Sequence, residues 1–166
     1  MKIHTIGGYD EVGKNMTALR VGDEVIILDM GFFLPSLISF EEGEIPRKDL
    51  GAKELNSDDD YPDFALAVAK KVAEDPDKNR GILICSSGVG ADIVANRIKG
   101  LRSALGFNEK QAQMSRNDDD TNILSLPADY ISEDLAKEIV KIWLGTPFSG
   151  LEHHARRVEK IKKIEK

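Results

Sequence analysis

The chain contains a single cysteine, Cys85, at the end of the apolar run 81–85 and directly before the Gly-containing turn 86–90. A thiolate is both a base and a nucleophile, and the amide groups at the start of a helix stabilise its negative charge. In an open parallel sheet, ligands bind beyond the carboxyl ends of the strands, which is where this residue is expected. The spacing alone leaves two interpretations open: a core cysteine, which is the more frequent case, or a catalytic base.

The composition is that of an ordinary globular domain. A chain of 166 residues is long enough for one domain with a sizeable core and short for two. Its net charge of -6 argues against a nucleic-acid partner, which would need clustered positive charge. We find neither a membrane span nor the basic and apolar segments of a signal peptide. One cysteine also fits a reducing compartment. We therefore expect a cytoplasmic protein without a membrane partner.

From Asp60 onward, helical patterns alternate with short apolar runs, which predicts a parallel sheet covered by helices. The predicted strands are 81–85, 101–107 and 122–128. The predicted helices are 61–75, 90–100, 108–116, 132–145 and 151–164. Asn108 and Ser132 are the expected amino-terminal caps of the third and fourth helices. This part of the chain is predicted to be a doubly wound α/β domain.

The first 46 residues follow a different pattern. Residues 17–31 read as two strands joined at Gly22 and Asp23, which predicts a hairpin rather than a strand-helix-strand unit. Residues 32–49 have no clear period and contain two prolines, so we expect a connection there. The predicted organisation is therefore a hairpin segment with its connection, residues 1–46, and one α/β unit, residues 47–166.

Four motifs of the α/β part occur in the order and spacing found in the ribose-5-phosphate isomerase B and galactose-6-phosphate isomerase family. They are DDDYPDFALAVAKKV, GILICSSGVGADIVANRIKGLRSAL, SRNDDDTNIL and WLGTPFSGLEHHARRVEKIKKIE. From about Asp49 to the carboxyl terminus, the chain resembles this family. The resemblance implies a Rossmann-like, mostly parallel sheet with helices on both faces, in which the hairpin replaces the first strand-helix unit. It also implies a homodimer, or a dimer of dimers, with active sites at the subunit interface.

The activity implied by the resemblance is the interconversion of an aldose phosphate and a ketose phosphate without a metal or other cofactor. Cys85 matches the catalytic base, and Asp118 stands at the position of a ring-opening histidine. The residues implied to bind the sugar phosphate are Tyr61, Ser86, Ser87, Gly88, Gly90, Asp119, His154 and Arg157.

Several positions depart from the family pattern. Ser86 stands where a glycine is usual, Asp118 and Asp119 stand where the family has His-Asn, and Asp129 and His153 replace two arginines. An ionised carboxylate is a poor proton donor, and a phosphate group would meet fewer cationic donors. Two functions therefore stay open: an isomerase of impaired activity, or a non-catalytic dimeric domain that binds a small ligand.

Residues 1–44 resemble the opening hairpin of archaeal ribonuclease J-type enzymes, the β-CASP branch of the metallo-β-lactamase fold. In those enzymes a histidine-rich zinc motif follows, whereas the histidines of this chain are His4, His153 and His154, so we expect no zinc site. The chain therefore looks like a fusion, and a fusion without a selected function is a third alternative. Isomerases of the family begin with a strand that ends in Asp-His; Asp10 is the candidate here for that aspartate.

Overall fold

The computed structural model describes residues 24–28, 47–50 and 60–165, which form a parallel sheet with helices on both faces. The strands are β1 (Glu24–Leu28), β2 (Arg47–Asp49), β3 (Asn79–Cys85), β4 (Ser103–Leu105) and β5 (Ile123–Pro127). The helices are α1 (Tyr61–Ala73), α2 (Val89–Ala95), α3 (Glu109–Asp119), α4 (Glu133–Gly145) and α5 (Glu152–Lys162). None of the helices in these ranges has the length and apolar character needed to cross a membrane.

The sheet has the strand order β2-β1-β3-β5-β4, and every neighbouring pair is parallel. Side chains of a strand alternate between the two faces. On one face, a Cβ added to Gly81 of β3 would lie 2.9 Å from Val72, so α1 packs directly on this strand. On the other face, Gly106 lies against both Leu124 of β5 and Ile139 of α4. Helices α1 and α2 thus cover one face, and α3 and α4 cover the other.

Two helices begin at the caps that the sequence predicts. The side chain of Asn108 accepts a hydrogen bond of 2.9 Å from the amide of Gln111, and that of Ser132 accepts one of 3.2 Å from the amide of Leu135. Each bond satisfies an amide that the first turn of a helix leaves without a partner. Both cap predictions are confirmed.

A buried charged cluster joins the end of α3 to the start of β5. Asp120 ends α3 with a φ of 50°, and its two carboxylate oxygens each accept a hydrogen bond of 2.8 Å, one from Arg102 and one from Arg116. Both arginines are buried, and the guanidinium of Arg116 also lies 5.8 Å from the ring centre of Trp143. The cluster fixes the carboxyl end of α3 at the amino-terminal edge of the sheet.

The structure confirms the α/β class but shortens several predicted elements. The helix predicted over 90–100 ends at Ala95, because the side chain of Asn96 turns back to the edge strand. Its amide oxygen accepts a 2.9 Å bond from the Ser103 amide, and its nitrogen donates a 3.1 Å bond to the Ser103 carbonyl. The side chain thus occupies the open edge of β4, and the strand predicted over 101–107 is limited to Ser103–Leu105.

The amino-terminal segment differs from expectation in one respect. Strand β2 lies at residues 47–49, in a stretch predicted to be connection; three residues are too few to show a period. Strand β1 coincides with the second strand of the predicted hairpin, whose first strand lies outside the described residues. Both neighbours of β1 in the described sheet are parallel to it. β1 therefore adds a strand from the segment 1–46 to the sheet of the α/β unit.

Candidate active site

The topology reverses between β1 and β3. These strands are adjacent in the order β2-β1-β3-β5-β4. The strand that follows β1 in the chain lies to one side of this pair within the sheet, and the strands that follow β3 lie to the other side. In doubly wound sheets, the crevice that binds ligands lies at such a point, outside the carboxyl ends of the two strands. Cys85 is the last residue of β3, so it lies at the crevice.

Cys85 is mostly buried, with 9% of its surface exposed. Burial raises the pKa of its thiol above the ordinary value, and the amides of Gly88 and Ser86 act in the opposite direction because they donate hydrogen bonds to the sulfur. The carboxylate of Asp129 raises the pKa further. The thiol is thus held in a turn that can stabilise a thiolate, next to a charge that opposes its formation.

The turn after β3 requires glycine at Gly88. This residue has a φ of 72°, and an added Cβ would lie 2.5 Å from the Leu105 side chain and 3.2 Å from the backbone between Leu126 and Pro127. Glycine tolerates this conformation and this close approach because it has no Cβ. Gly88 therefore lets the turn lie directly on β5 and point its amide at Cys85.

Tyr61 reaches the same turn from α1. This helix runs back along β3, so its first residue lies at the carboxyl edge of the sheet, and an added Cβ on Gly90 would lie 2.6 Å from the phenol ring. Tyr61 is 38% exposed, Ser86 is exposed and Ser87 is half-buried. One end of the sheet therefore brings together six of the predicted site residues: Tyr61, Cys85, Ser86, Ser87, Gly88 and Gly90.

The remaining predicted site residues form a second group on α3 and α5. The side chain of His154 is buried; its Nδ1 lies 2.6 Å from the Ser149 hydroxyl, and its Nε2 lies 3.7 Å from a carboxylate oxygen of Asp118. Asp119 is exposed at the end of α3. Arg157 is exposed on α5, and its guanidinium has no hydrogen-bond or ion-pair partner within the described ranges.

The two groups lie at opposite edges of the sheet. Asp118 and Asp119 end the helix that leads into β5, whereas Cys85 pairs with Pro127 at the other end of that strand. The four residue steps from Ile123 to Pro127 span about 13 Å. Within one chain, the Cys85 group and the Asp118 group do not share a site.

Two acidic residues, Asp129 and Asp29, were not predicted as site residues. Asp129 was identified only as a departure from the family pattern, yet its carboxylate accepts a hydrogen bond from Ser86. Asp29 follows Leu28, the last residue of β1, and itself lies outside the described residues, as does Asp10. The sequence signal for Asp29 was available, since an acid directly after an apolar run is typical of a strand end at a site. Within the described ranges, no cluster of three His, Cys, Asp or Glu side chains could hold a metal ion.

The fold and the position of Cys85 define the class of doubly wound α/β proteins, in which small molecules generally bind at the switch point. Comparisons with known proteins narrow this class. The Ribose/Galactose Isomerase family matches residues 34–161. The chain therefore belongs to this family, and the resemblance predicted from the four motifs is confirmed. The match begins inside the segment 1–46; the likeness of residues 1–44 to ribonuclease J-type enzymes stays a prediction.

Individual relatives cover most of the same region. The probable ribose-5-phosphate isomerase B of Mycoplasma genitalium is 42% identical over 118 residues, which are 71% of this chain and 77% of that protein. A crystal structure of ribose-5-phosphate isomerase B from the same species, with bound ribulose-5-phosphate, has a TM-score of 0.67 and 41% identity, and covers 70% of this chain and 76% of that one. The D-erythrulose-4-phosphate isomerase of Pectobacterium atrosepticum is 40% identical over 61% of this chain and 65% of that protein.

Proposed function

We propose that this protein interconverts ribose 5-phosphate and ribulose 5-phosphate, with Cys85 as the base. The observation that carries the proposal is the position of Cys85 at the switch point, at the carboxyl end of β3 and directly before the turn 86–90. A solved relative contains ribulose-5-phosphate, and another relative is an isomerase of a four-carbon ketose phosphate. Ribose 5-phosphate is therefore the first substrate to test and erythrulose 4-phosphate the second.

In the proposed reaction, the Cys85 thiolate removes the proton from C2 of the open-chain aldose. The electrons of the broken C–H bond form an enediolate, whose oxygen accepts hydrogen bonds from amides of the turn 86–90. Transfer of a proton from the C2 oxygen to the C1 oxygen, together with return of the abstracted proton to C1, gives the ketose and leaves the thiolate as it began. Tyr61, which lies against Gly90 at the same edge, is assigned to the sugar.

We further propose that the catalytic unit is a homodimer. Cys85 and the Asp118 group lie at opposite ends of β5, a strand that spans about 13 Å, so the Asp118 group can serve the reaction only if another copy supplies it. A two-fold dimer that places the Asp118 group of one chain over the Cys85 group of its partner would complete two equivalent sites. Arg157, whose guanidinium is exposed and unpaired within the described ranges, would then bind the phosphate of a sugar held by the partner chain.

Slow turnover is part of the proposal. Ring opening is assigned to Asp118 and His154, but Asp118 stands where the family has a histidine, and an ionised carboxylate is a poor proton donor. Asp129 adds a negative charge at the crevice, where a sugar phosphate must enter. Both features reduce the rate without removing the base.

A non-catalytic ligand-binding domain is the second candidate function. It is favoured by the bond between Ser86 and Asp129, because this pair puts a hydroxyl and a carboxylate on the wall of the crevice. Such a wall suits a ligand with several hydroxyl groups and no phosphate. This candidate requires binding of a neutral sugar such as ribose without any chemistry at C2.

The deciding experiment follows the C2 proton of ribose 5-phosphate in deuterated water by proton NMR. We expect loss of the C2 signal together with formation of ribulose 5-phosphate, and no loss with the Cys85→Ser variant, which keeps the size of the side chain but lacks the thiol. Cys85→Ser must unfold at the same temperature as the parent protein. Absence of exchange at high concentration of folded parent protein would exclude the isomerase and leave the binding domain.

A further inference from the structure

The turn that carries Cys85 is joined to the turn after β5 by three hydrogen bonds. The amide of Ala128 donates to the Cys85 carbonyl at 2.9 Å, and the amide of Asp129 donates to the Ser86 carbonyl at 3.0 Å. The Ser86 hydroxyl donates to the carboxylate of Asp129. The two backbone bonds fix the position of the turns, and the side-chain bond fixes the direction of the carboxylate. Asp129 is therefore held beside Cys85 although its side chain is exposed.

Other titratable groups on the packed elements are directed elsewhere. The phenol of Tyr61 comes from α1, and the carboxyl group of Asp92 comes from α2 but accepts a 2.6 Å bond from Ser103 at the edge strand β4. The carboxylates in the first turn of α4 lie 2.9 and 3.5 Å from the ammonium group of Lys137. Among charged side chains within the described ranges, Asp129 is the one whose charge acts on the sulfur.

We propose that Asp129 is a positioning residue: held by Ser86 beside the turn that carries Cys85, its carboxylate adds to the effect of burial and makes the free thiol harder to ionise while the crevice is empty. The inference goes beyond the isomerase reaction and does not depend on it, because it concerns the protonation of the free protein. It gives the exposed pair of Ser86 and Asp129 a common role, which is to set how readily the sulfur ionises.

Electrostatics supports this assignment. The thiol form of Cys85 is neutral, so it puts no second charge beside the Asp129 carboxylate. Ionisation to the thiolate would place two negative charges close together, and their repulsion disfavours it. Burial and Asp129 both raise the pKa of Cys85, while the two amides of the turn lower it. Neutralising the carboxylate leaves the amides in place, so the sulfur should then ionise at lower pH.

The test measures the rate at which iodoacetamide alkylates the full-length protein between pH 6 and pH 10. In this reaction the Cys85 thiolate forms an S–C bond with the reagent and iodide leaves, so the rate follows the fraction of thiolate. Since the chain has one cysteine, every label reports Cys85. Asp129→Asn removes the charge and keeps an oxygen that can accept the Ser86 bond. We expect its pH profile to move toward lower pH, with a roughly three- to tenfold faster reaction at pH 7, since one pKa unit is a tenfold change in thiolate.

Two further variants make the test specific. Ser86→Ala frees the Asp129 carboxylate to turn toward water, so its profile should move in the same direction by a smaller amount. Asp134→Asn is the matched control, because it neutralises an acid of the neighbouring helix that is 97% exposed and paired with Lys137; its profile should match that of the parent protein. A profile of folded Asp129→Asn that coincides with the parent, or an equal shift in Asp134→Asn, would overturn the proposal. Isomerase activity plays no part in either outcome.

Discussion

At the scale of single residues, the turn after β3 depends on two glycines, which have no Cβ atom. Gly88 combines a left-handed backbone with contacts that leave no room for a Cβ, and Gly90 makes room for the ring of Tyr61. These two glycines place the amides and the phenol around Cys85. The chemistry proposed for the sulfur therefore depends on backbone geometry as much as on reactive groups.

The Gly88→Ala substitution tests this dependence. The added methyl group would strain the backbone and press on Leu105, so we expect the free energy of unfolding to fall by about 2 kcal/mol. Urea unfolding followed by the fluorescence of Trp143, the single tryptophan and a fully buried one, measures the change.

Gly145→Ala is the matched control for Gly88→Ala. Gly145 is the last residue of α4, and an added Cβ there would meet nothing within 4 Å. Its stability should stay equal or rise by up to about 1 kcal/mol, because alanine favours the helix more than glycine does. Equal effects of the two substitutions would contradict the account of Gly88.

At the scale of elements, the neighbour of β3 at the switch point bears on which acid of the segment 1–46 is assigned to the site. That neighbour is β1, and Leu28 of β1 pairs with Leu83, two residues before Cys85. The next residue in the chain is Asp29. In the isomerase family, the first strand ends in an aspartate, and the family resemblance assigned that role to Asp10. Asp29 is the aspartate that directly follows the first described strand, so it is the alternative candidate.

Asp29→Asn and Asp10→Asn form a matched pair of variants that separates these assignments. We expect Asp29→Asn to slow exchange of the C2 proton at least about tenfold, since a charged hydrogen bond to substrate is worth roughly 1.5–3 kcal/mol. Asp10→Asn should keep the parent rate. The NMR exchange assay measures both, and a slower rate for Asp10→Asn with an unchanged rate for Asp29→Asn would restore the original assignment.

At the scale of the whole molecule, one chain holds two incomplete halves of the proposed site. The Cys85 group occupies the carboxyl edge of the sheet, and the Asp118 group with Arg157 occupies the amino edge. A dimer with shared sites has a property that a monomeric enzyme lacks: two inactive variants can restore activity when they assemble together.

Co-expression of Cys85→Ser with Arg157→Ala tests for shared sites. In a mixed dimer, one site receives intact Cys85 and intact Arg157, so random assembly should give about a quarter of the parent activity in the exchange assay. Cys85→Ser with Tyr61→Ala is the control, since both changes affect the same edge and no mixed dimer contains an intact site. Activity of the first mixture no higher than that of its separate components would contradict the shared site.

Local patterns were sufficient to predict much of this protein. Asn108 and Ser132 were identified as caps because a cap bonds an amide only three residues away, and β3 was identified because a covered parallel strand is continuously apolar. The motifs around Cys85 predicted the family. These features involve residues close together in the chain, so the sequence shows them directly.

Contacts between distant residues needed the tertiary structure. The end of α2 depends on the bonds from Asn96 to Ser103, and the three-residue strand β2 forms only because β1 is available as its neighbour. The bond from Ser86 to Asp129 joins positions 43 residues apart. Which reactive groups the protein carries can be read directly from its amino-acid sequence. The tertiary structure decided which of them meet, because strand order and the two edges of the sheet place Cys85 with Tyr61 and Asp129 and away from Asp118.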